Sequence, residues 1–284
     1  MTDFRLVPAD TLPPAALHAA FTAAFADYLV GPFKLALQQW PQFLGRQGVE
    51  LSLSRAALAG GEMQAFALTA PRTDVSSWRL GTMGALPASR GSGAARVLLD
   101  DFIERAREAG RSRVELECFA QNERALRLYR GRGFREVCEL HGWRIDAGTP
   151  REGEADEGVR PLPLPQAYEH IDAVSRRRSD LPLQVTPTSL QAQPVALQAW
   201  SCGEAIVVAG DGGPRQLTLH SLVDETPRQE GARRLLRHLL LSFPDHAIQM
   251  PQLQRDDLGG RALQQLGFTR QPLHQVLMHR PFLT

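Results

Sequence analysis

The stretch PASRGSGAARVLLDDF, Pro87 to Phe102, decides how the rest of the chain is read. It follows SWRLGTMGALP (77–87), an apolar segment that reads as a strand ended by proline. It runs into a stripe of Ala94, Leu98, Phe102 and Ala106 at helical spacing. The first amides of a helix lack intrahelical partners, and the helix dipole places partial positive charge there. In RGSGAA (90–95), Gly91 and Gly93 permit backbone conformations closed to other residues. Ala94 and Ala95 keep the mouth clear, and Arg90 adds a forked cation suited to phosphate oxygens. Such a turn is either punctuation before a helix or a cradle for an anion. Two phosphate motifs are excluded. No Gly-Lys-Ser/Thr follows, and Arg96 stands where a dinucleotide fingerprint requires a small residue.

Composition narrows the partners. The chain has 284 residues, 43% apolar and 22% charged, with a net charge of +1. That is the balance of a globular protein with a substantial core, and its length suits two domains. With no global basic field, neither nucleic acid nor an anionic membrane is expected as a partner. No apolar run approaches the ~20 residues of a membrane span, and MTDFRLVPADTLPP has no signal-peptide pattern. The three cysteines, Cys118, Cys138 and Cys202, are scattered, so neither a disulfide framework nor a metal site is expected. The cytoplasm is the expected compartment.

Upstream of the opening stretch, LHAAFTAAFADYLV (17–30) carries apolar residues at helical spacing. GPFKLALQQWPQFLGRQG (31–48) reads as a short helix ended by Pro41 or the later glycine, and residues 49–70 as a hairpin around Gly60-Gly61. Downstream, Gly110 closes the long helix, RVELECFA (113–120) alternates as a strand, and NERALRLYRGRGF (122–134) is a short helix capped by Asn122. REVCELHGWRI (135–145) is a further strand. The order is βαβ-like, so the strands flanking the long helix should be parallel.

DAGTPREGEADEGVRPLPLP (146–165) has linker composition, which predicts domains at 1–148 and 165–284 joined by 149–164. The second half repeats the rhythm, with strands over 195–223, a helix over 228–241, a strand at 246–250, a short helix at 256–268 and a last strand. Aligning Phe134 with Phe268 pairs Tyr129 with Leu263, and aligning Arg90 with Arg228 pairs RGSGAA with RQEGAR. The halves read as a duplication whose second copy has diverged.

RGSGAARVLL fits Arg/Gln-x-x-Gly-x-Gly/Ala before an apolar helix, and NERALRLYRGRGF fits Asn-x-x-Ala-x-x-Leu-Tyr followed by Gly-Phe. In both motifs and their spacing, 81–134 resembles the GNAT superfamily of acetyl-coenzyme A-dependent N-acetyltransferases. The resemblance implies a mixed α/β fold, specifically two GNAT-like domains. Each would carry a mostly antiparallel sheet, a splayed parallel central pair and flanking helices. It implies acetyl-CoA as co-substrate, no metal, and direct attack by a primary amine on the thioester. The acceptor would be a small-molecule or peptide amine, and a homodimer is compatible with the pattern. By the motif, amides of Arg90, Gly91, Ser92, Gly93, Ala94 and Ala95 would hold the coenzyme pyrophosphate. The amide of Ala85 would pair with pantetheine, that of Met83 would face the thioester carbonyl, and Asn122 would contact the cofactor. Tyr129 stands at the family's general-acid position, where a phenol can protonate the departing thiolate. Its alternative is the apolar face of its helix.

The family's usual glutamate on the strand before the glycine turn is absent from WRLGTMGAL. Glu115, Glu117, Asp27, Tyr28 and His141 are the remaining candidates for a base or an acceptor contact. Phe25, Tyr28 and Phe33 suggest an apolar acceptor pocket or core packing. A covalent route through Cys118 lacks a neighbouring histidine in sequence. In the second half, Glu230 and Arg233 at the turn and Leu263 at the Tyr129 position predict that no coenzyme binds there. A non-catalytic acyl-CoA sensor would keep the glycine turn without needing Tyr129.

Overall fold

The computed structural model describes residues 3–149 and 157–282. The chain forms two compact units. One comprises Met1–Cys118, Asn122–Glu136 and Met278–Thr284, and the other Phe119–Gln121 and Val137–Leu277. Among the described residues no helix is long and apolar enough to cross a membrane, and no cluster of His, Cys, Asp or Glu could hold a metal ion.

The first half of the sequence runs β1 (Arg5–Pro8), α1 (Pro14–Ala24), α2 (Trp40–Arg46), β2 (Glu50–Ala59), β3 (Glu62–Arg72), β4 (Ser77–Ala85), α3 (Ala94–Glu108), β5 (Arg113–Phe119), α4 (Glu123–Arg130) and β6 (Arg135–Ile145). The second half runs β7 (Arg160–Leu162), α5 (Leu164–Arg178), α6 (Pro187–Leu190), β8 (Leu197–Cys202), β9 (Ala205–Gly213), β10 (Gln216–Val223), α7 (Glu230–Ser242), β11 (Ala247–Gln254), α8 (Gly260–Gln265) and β12 (Thr269–Pro281).

In the first unit the strand order is β1-β2-β3-β4-β5, completed beyond β5 by the end of β12. There the Phe282 amide donates to the Ser112 carbonyl at 3.0 Å. In the second unit the order is β12-β6-β11-β10-β9-β8-β7. Most of β6 belongs to this unit, pairing antiparallel with β11 through Ile145↔Ile248 and Trp143↔Met250. The units are therefore not the two consecutive segments predicted by the linker composition. Strand periodicity identifies β6 and β12 as strands but is silent on which neighbour each pairs with. Of the predicted linker, 150–156 lies outside the described residues, and 160–162 is strand β7, paired with β8.

Helix α1 buries Leu17, Ala20, Phe21 and Ala24, the i, i+3, i+4, i+7 stripe of an amphipathic helix. Helix α3 buries Ala94, Leu98, Leu99, Phe102, Ile103 and Ala106. It ends in a Schellman motif, with the Arg111 amide on the Ala106 carbonyl and the Gly110 amide on that of Arg107. Gly110 sits at φ +67°. Pro41 opens α2 rather than ending a helix, because proline costs nothing where the amide has no partner anyway. Helix α5 begins where the expected linker ends, in a stretch for which the sequence reading named no element. It begins at a proline-flanked turn and buries Ala167, Ile171 and Val174.

Candidate active site

Strands β4 and β5 pair in parallel only at Ser77↔Arg113, Trp78↔Val114 and Arg79↔Glu115. Beyond Arg79, β4 stays bonded to β3 as far as Ala85↔Ala65, but its edge toward β5 is released. Met83, Gly84 and Ala85, on that released run, line a cleft of about 500 Å³. Gly84 is required by close packing, since a Cβ there would lie 2.8 Å from the Phe66 ring and 2.9 Å from Ala24 Cβ. The glycine lets α1 press onto the strand that forms the cleft wall.

The turn 86–93 forms the next wall. Ser89 is buried, donates to Gln64 Oε1 at 2.5 Å and anchors the turn to β3. The Arg90 and Ser92 amides are spent inside the turn, on the carbonyls of Pro87 and Ser89. The amides of Gly91, Gly93, Ala95 and Arg96 have no acceptor among the described residues. Gly91 and Gly93 adopt φ +90° and +100°, and nothing lies within 4 Å of where their Cβ atoms would be. These glycines are fixed by backbone conformation, and the space over them is open. Open amides, open space and the helix dipole together suit an anion. The residues fit a coenzyme diphosphate.

Two phenols close the inner end. Tyr129, from α4, is buried, and burial holds its hydroxyl far above the usual phenol range. Tyr28 is pushed up to about 12 by burial. Asn122 accepts the Ala125 amide on Oδ1 at 3.2 Å as helix cap, and its side chain is also hydrogen-bonded to the Tyr28 hydroxyl. Capping and contact with Tyr28 therefore coexist on one side chain. Cys118 lies close enough to both phenols to affect their titration, and burial pushes its own thiol to about 12. A thiol so held is no nucleophile near neutral pH.

Asp27, Tyr28, Met83, Ala85, Arg90, Gly91, Gly93, Ala94, Ala95, Asn122 and Tyr129 thus share one cleft. Ser92, Glu117 and Phe33 do not line it. Glu117 is buried on β5 and accepts from Arg79 Nε at 2.7 Å, an ion pair whose side chains are 1% and 2% exposed. Glu115 is likewise buried, between Arg72 and Arg113. Phe33 packs edge-on to Phe21 at 5.1 Å, in the aromatic cluster with Trp40 and Phe43. His141 belongs to the second unit, where it is buried against Glu139. Sequence reasoning passed over Arg96 and Arg124, which add two cations to the cleft. Their signal was faint, since exposed arginines on helices are common.

The second unit repeats the local geometry with other chemistry. The Phe134 amide donates to the Tyr129 carbonyl at 3.2 Å, and the Phe268 amide to the Leu263 carbonyl at 3.1 Å. Gly133 and Gly267 have φ of +82° and +81°. Tyr129 and Leu263 therefore occupy the same place in the two repeats. At the turn the sequence register is two residues out. Gly93 precedes α3 and Gln229 precedes α7, both left-handed, which places Glu230 opposite Ala94 rather than Ser92. Glu230 is exposed beside Arg228 and Arg233. The carboxylate that fills this helix terminus is Asp224, at 1% exposure. It accepts the Ala232 amide at 2.9 Å, the Thr226 amide at 2.9 Å and the Thr226 hydroxyl at 2.6 Å. The Gln229 side chain bonds the Asp256 carbonyl and the Ala262 amide. A Cβ on Gly231 would lie 2.6 Å from Ala205 Cβ, so α7 is packed tight against the β8–β9 hairpin.

Residues 16–134 match the acetyltransferase (GNAT) family. A segment of 53 residues, 19% of the chain, is 43% identical to the uncharacterized N-acetyltransferase YdgE of Bacillus subtilis (strain 168), and it spans 34% of that protein. A GCN5-related N-acetyltransferase from Kribbella flavida superposes with a TM-score of 0.64 at 17% identity, over 99% of this chain and 71% of that one. A tandem GNAT protein from the clavulanic acid biosynthesis pathway superposes with a TM-score of 0.61 at 14% identity, over 98% of both chains. The chain has the fold of a tandem GNAT protein, and its segment 16–134 is similar to the GNAT acetyltransferase family.

Proposed function

We propose that the protein is an N-acetyltransferase that transfers an acetyl group from acetyl-CoA to a primary amine by direct attack, at the cleft of the first unit. The observation that carries this reading is the convergence of a released β4 edge, open helix-terminal amides and a buried phenol in one cleft of about 500 Å³. Acetyl-CoA supplies an activated acyl group on a thiol leaving group. The amides of Gly91, Gly93, Ala95 and Arg96, with Arg90, would hold the diphosphate. The Ala85 amide would pair with pantetheine, and the Met83 amide would donate to the thioester carbonyl oxygen. Tyr129 keeps its proton at neutral pH, which a general acid needs, and would give it to the departing sulfur. Cys118, held protonated, supports direct attack over a covalent cysteine route.

The second unit is read as a degenerate copy that binds no coenzyme, supported by Asp224 in the place an anion would take and by Leu263 in the place of Tyr129. Acetyl-CoA should raise the melting temperature, calorimetry should give one site per chain, and a thiol-release screen over amines should find turnover. No thermal shift at saturating acetyl-CoA defeats this reading.

A further inference from the structure

Arg90 stands on the rim of the diphosphate turn, yet its guanidinium is already taken. Nη1 and Nη2 donate to Oδ2 and Oδ1 of Asp27, each at 2.6 Å, and Nη2 also reaches the Ala24 carbonyl, at the end of α1, at 3.2 Å. This is fork-to-fork pairing, and it consumes the same donors that suit a phosphate. Both residues line the cleft, one from the turn before α3 and the other from the segment after α1. The Asp27 side chain is 63% exposed and that of Arg90 31%, so the bridge spans the mouth rather than the interior. Among the described residues lining the cleft, Asp27 is the only carboxylate, against the three cations Arg90, Arg96 and Arg124.

Resting on the acyltransferase reading of this cleft, we propose that Asp27 is an internal stand-in for the diphosphate. It holds Arg90 until the coenzyme takes the guanidinium, and its own carboxylate is then free to receive a cationic amine. Asp27 is the positioning residue of this exchange, and Arg90 is the shared partner. A diphosphate brings more charge than one carboxylate and also engages the open amides, so the exchange favours the coenzyme. An exposed ion pair is weak enough to be displaced. The acceptor class follows from the same count. Once released, Asp27 is the anionic group of the cleft, and an ammonium is the acceptor it can hold. Coenzyme then binds before the amine, because the amine's partner is masked until it does.

The test is a double-mutant cycle read by calorimetry with coenzyme A, on the full chain. Asp27→Asn should tighten coenzyme binding by about two- to fivefold. Arg90→Gln should weaken it by about tenfold or more. In the Arg90→Gln background the Asp27→Asn gain should vanish. Carbon-detected titration of the Asp27 carboxyl in the wild-type chain gives an independent readout. Without coenzyme, Arg90 holds this carboxyl below the usual carboxylate range, and saturating coenzyme A should return it upward. A merely structural Asp27 predicts unchanged or weaker binding in Asp27→Asn, and either result overturns the proposal. An equal gain in both backgrounds overturns it too, since that is a general field effect. If Asp27→Asn does not fold, an unmoved Asp27 titration in the wild-type chain is enough to reject it. A wild-type chain that binds no coenzyme A defeats the acyltransferase reading itself, and the two failures are told apart by that one titration.

Discussion

The turns before α3 and α7 begin from the same problem, a helix terminus with unpaired amides at the end of a strand, and solve it in opposite ways. Before α3, two glycines in left-handed conformations keep Gly91, Gly93, Ala95 and Arg96 amides open to the cleft. Before α7, the buried carboxylate of Asp224 takes the Ala232 and Thr226 amides, and the Gln229 side chain ties the turn to α8. The first arrangement leaves its anion to be supplied from outside; the second carries one of its own. The two turns thus differ in an acid at the end of a strand and in how tightly the helix that follows is packed.

Substitutions at the two turns test that contrast. The largest effect is expected at the inner end of the open cleft. Tyr129→Phe should lower turnover on any accepted amine by about 10²–10⁴-fold while leaving coenzyme A affinity unchanged. Normal turnover would leave the phenol a packing residue, equivalent in role to Leu263. At the open turn, Gly93→Asp combines a strained left-handed position with a carboxylate facing the diphosphate, and should weaken coenzyme A by at least ~100-fold in calorimetry. At the closed turn, Asp224→Ala leaves buried amides without a partner and should cost about 2–4 kcal/mol, seen as an earlier melting transition. It should not create a second coenzyme site, because Gly231 is pressed against the β8–β9 hairpin. Two coenzymes per chain in that variant would make Asp224 alone responsible for closure. The smallest effect is expected from Cys118→Ala, with turnover retained. With the thiol raised to about 12, iodoacetamide at pH 8 should leave Cys118 unmodified in the folded chain. Since burial raises both phenols, neither Tyr28 nor Tyr129 should produce a falling limb in the rate profile below pH 10.

The open turn was legible in the sequence because it depends on residues whose absence of side chain is the message. Gly91, Gly93, Ala94 and Ala95 before an apolar stripe, with Asn122 and Tyr129 at a fixed distance, admit few alternatives. The closed turn was misread for the converse reason. Glu230 was conspicuous beside the turn, whereas Asp224 sits eight residues before the amide of Ala232 that it accepts, a separation no local pattern marks. Phe33 and Glu117 show a second limit. An aromatic after a helix and an acid on a strand look alike whether they face a cleft or a core. Partners far away in sequence, Phe21 for one and Arg79 for the other, decide the matter. Helix α5 was hidden by its surroundings, its apolar stripe of Ala167, Ile171 and Val174 lying between a proline-rich run and three arginines. The Arg90–Asp27 bridge spans 63 residues and left no trace in composition or spacing.

The end of β12 in the first unit has a consequence for how the chain is made. Until residues near Met278 have been synthesised, β5 offers a bare hydrogen-bonding edge, although every element lining the cleft has already been translated. Unpaired edges are sticky, and pairing across so long a stretch of chain is slow. A fragment cut near residue 148 would carry both motifs and the cleft residues, yet it would emerge from the ribosome with one side of its sheet exposed. The sheet behind the cleft therefore gains the strand beside β5 only once β12 has been translated, long after the last residue that lines the cleft.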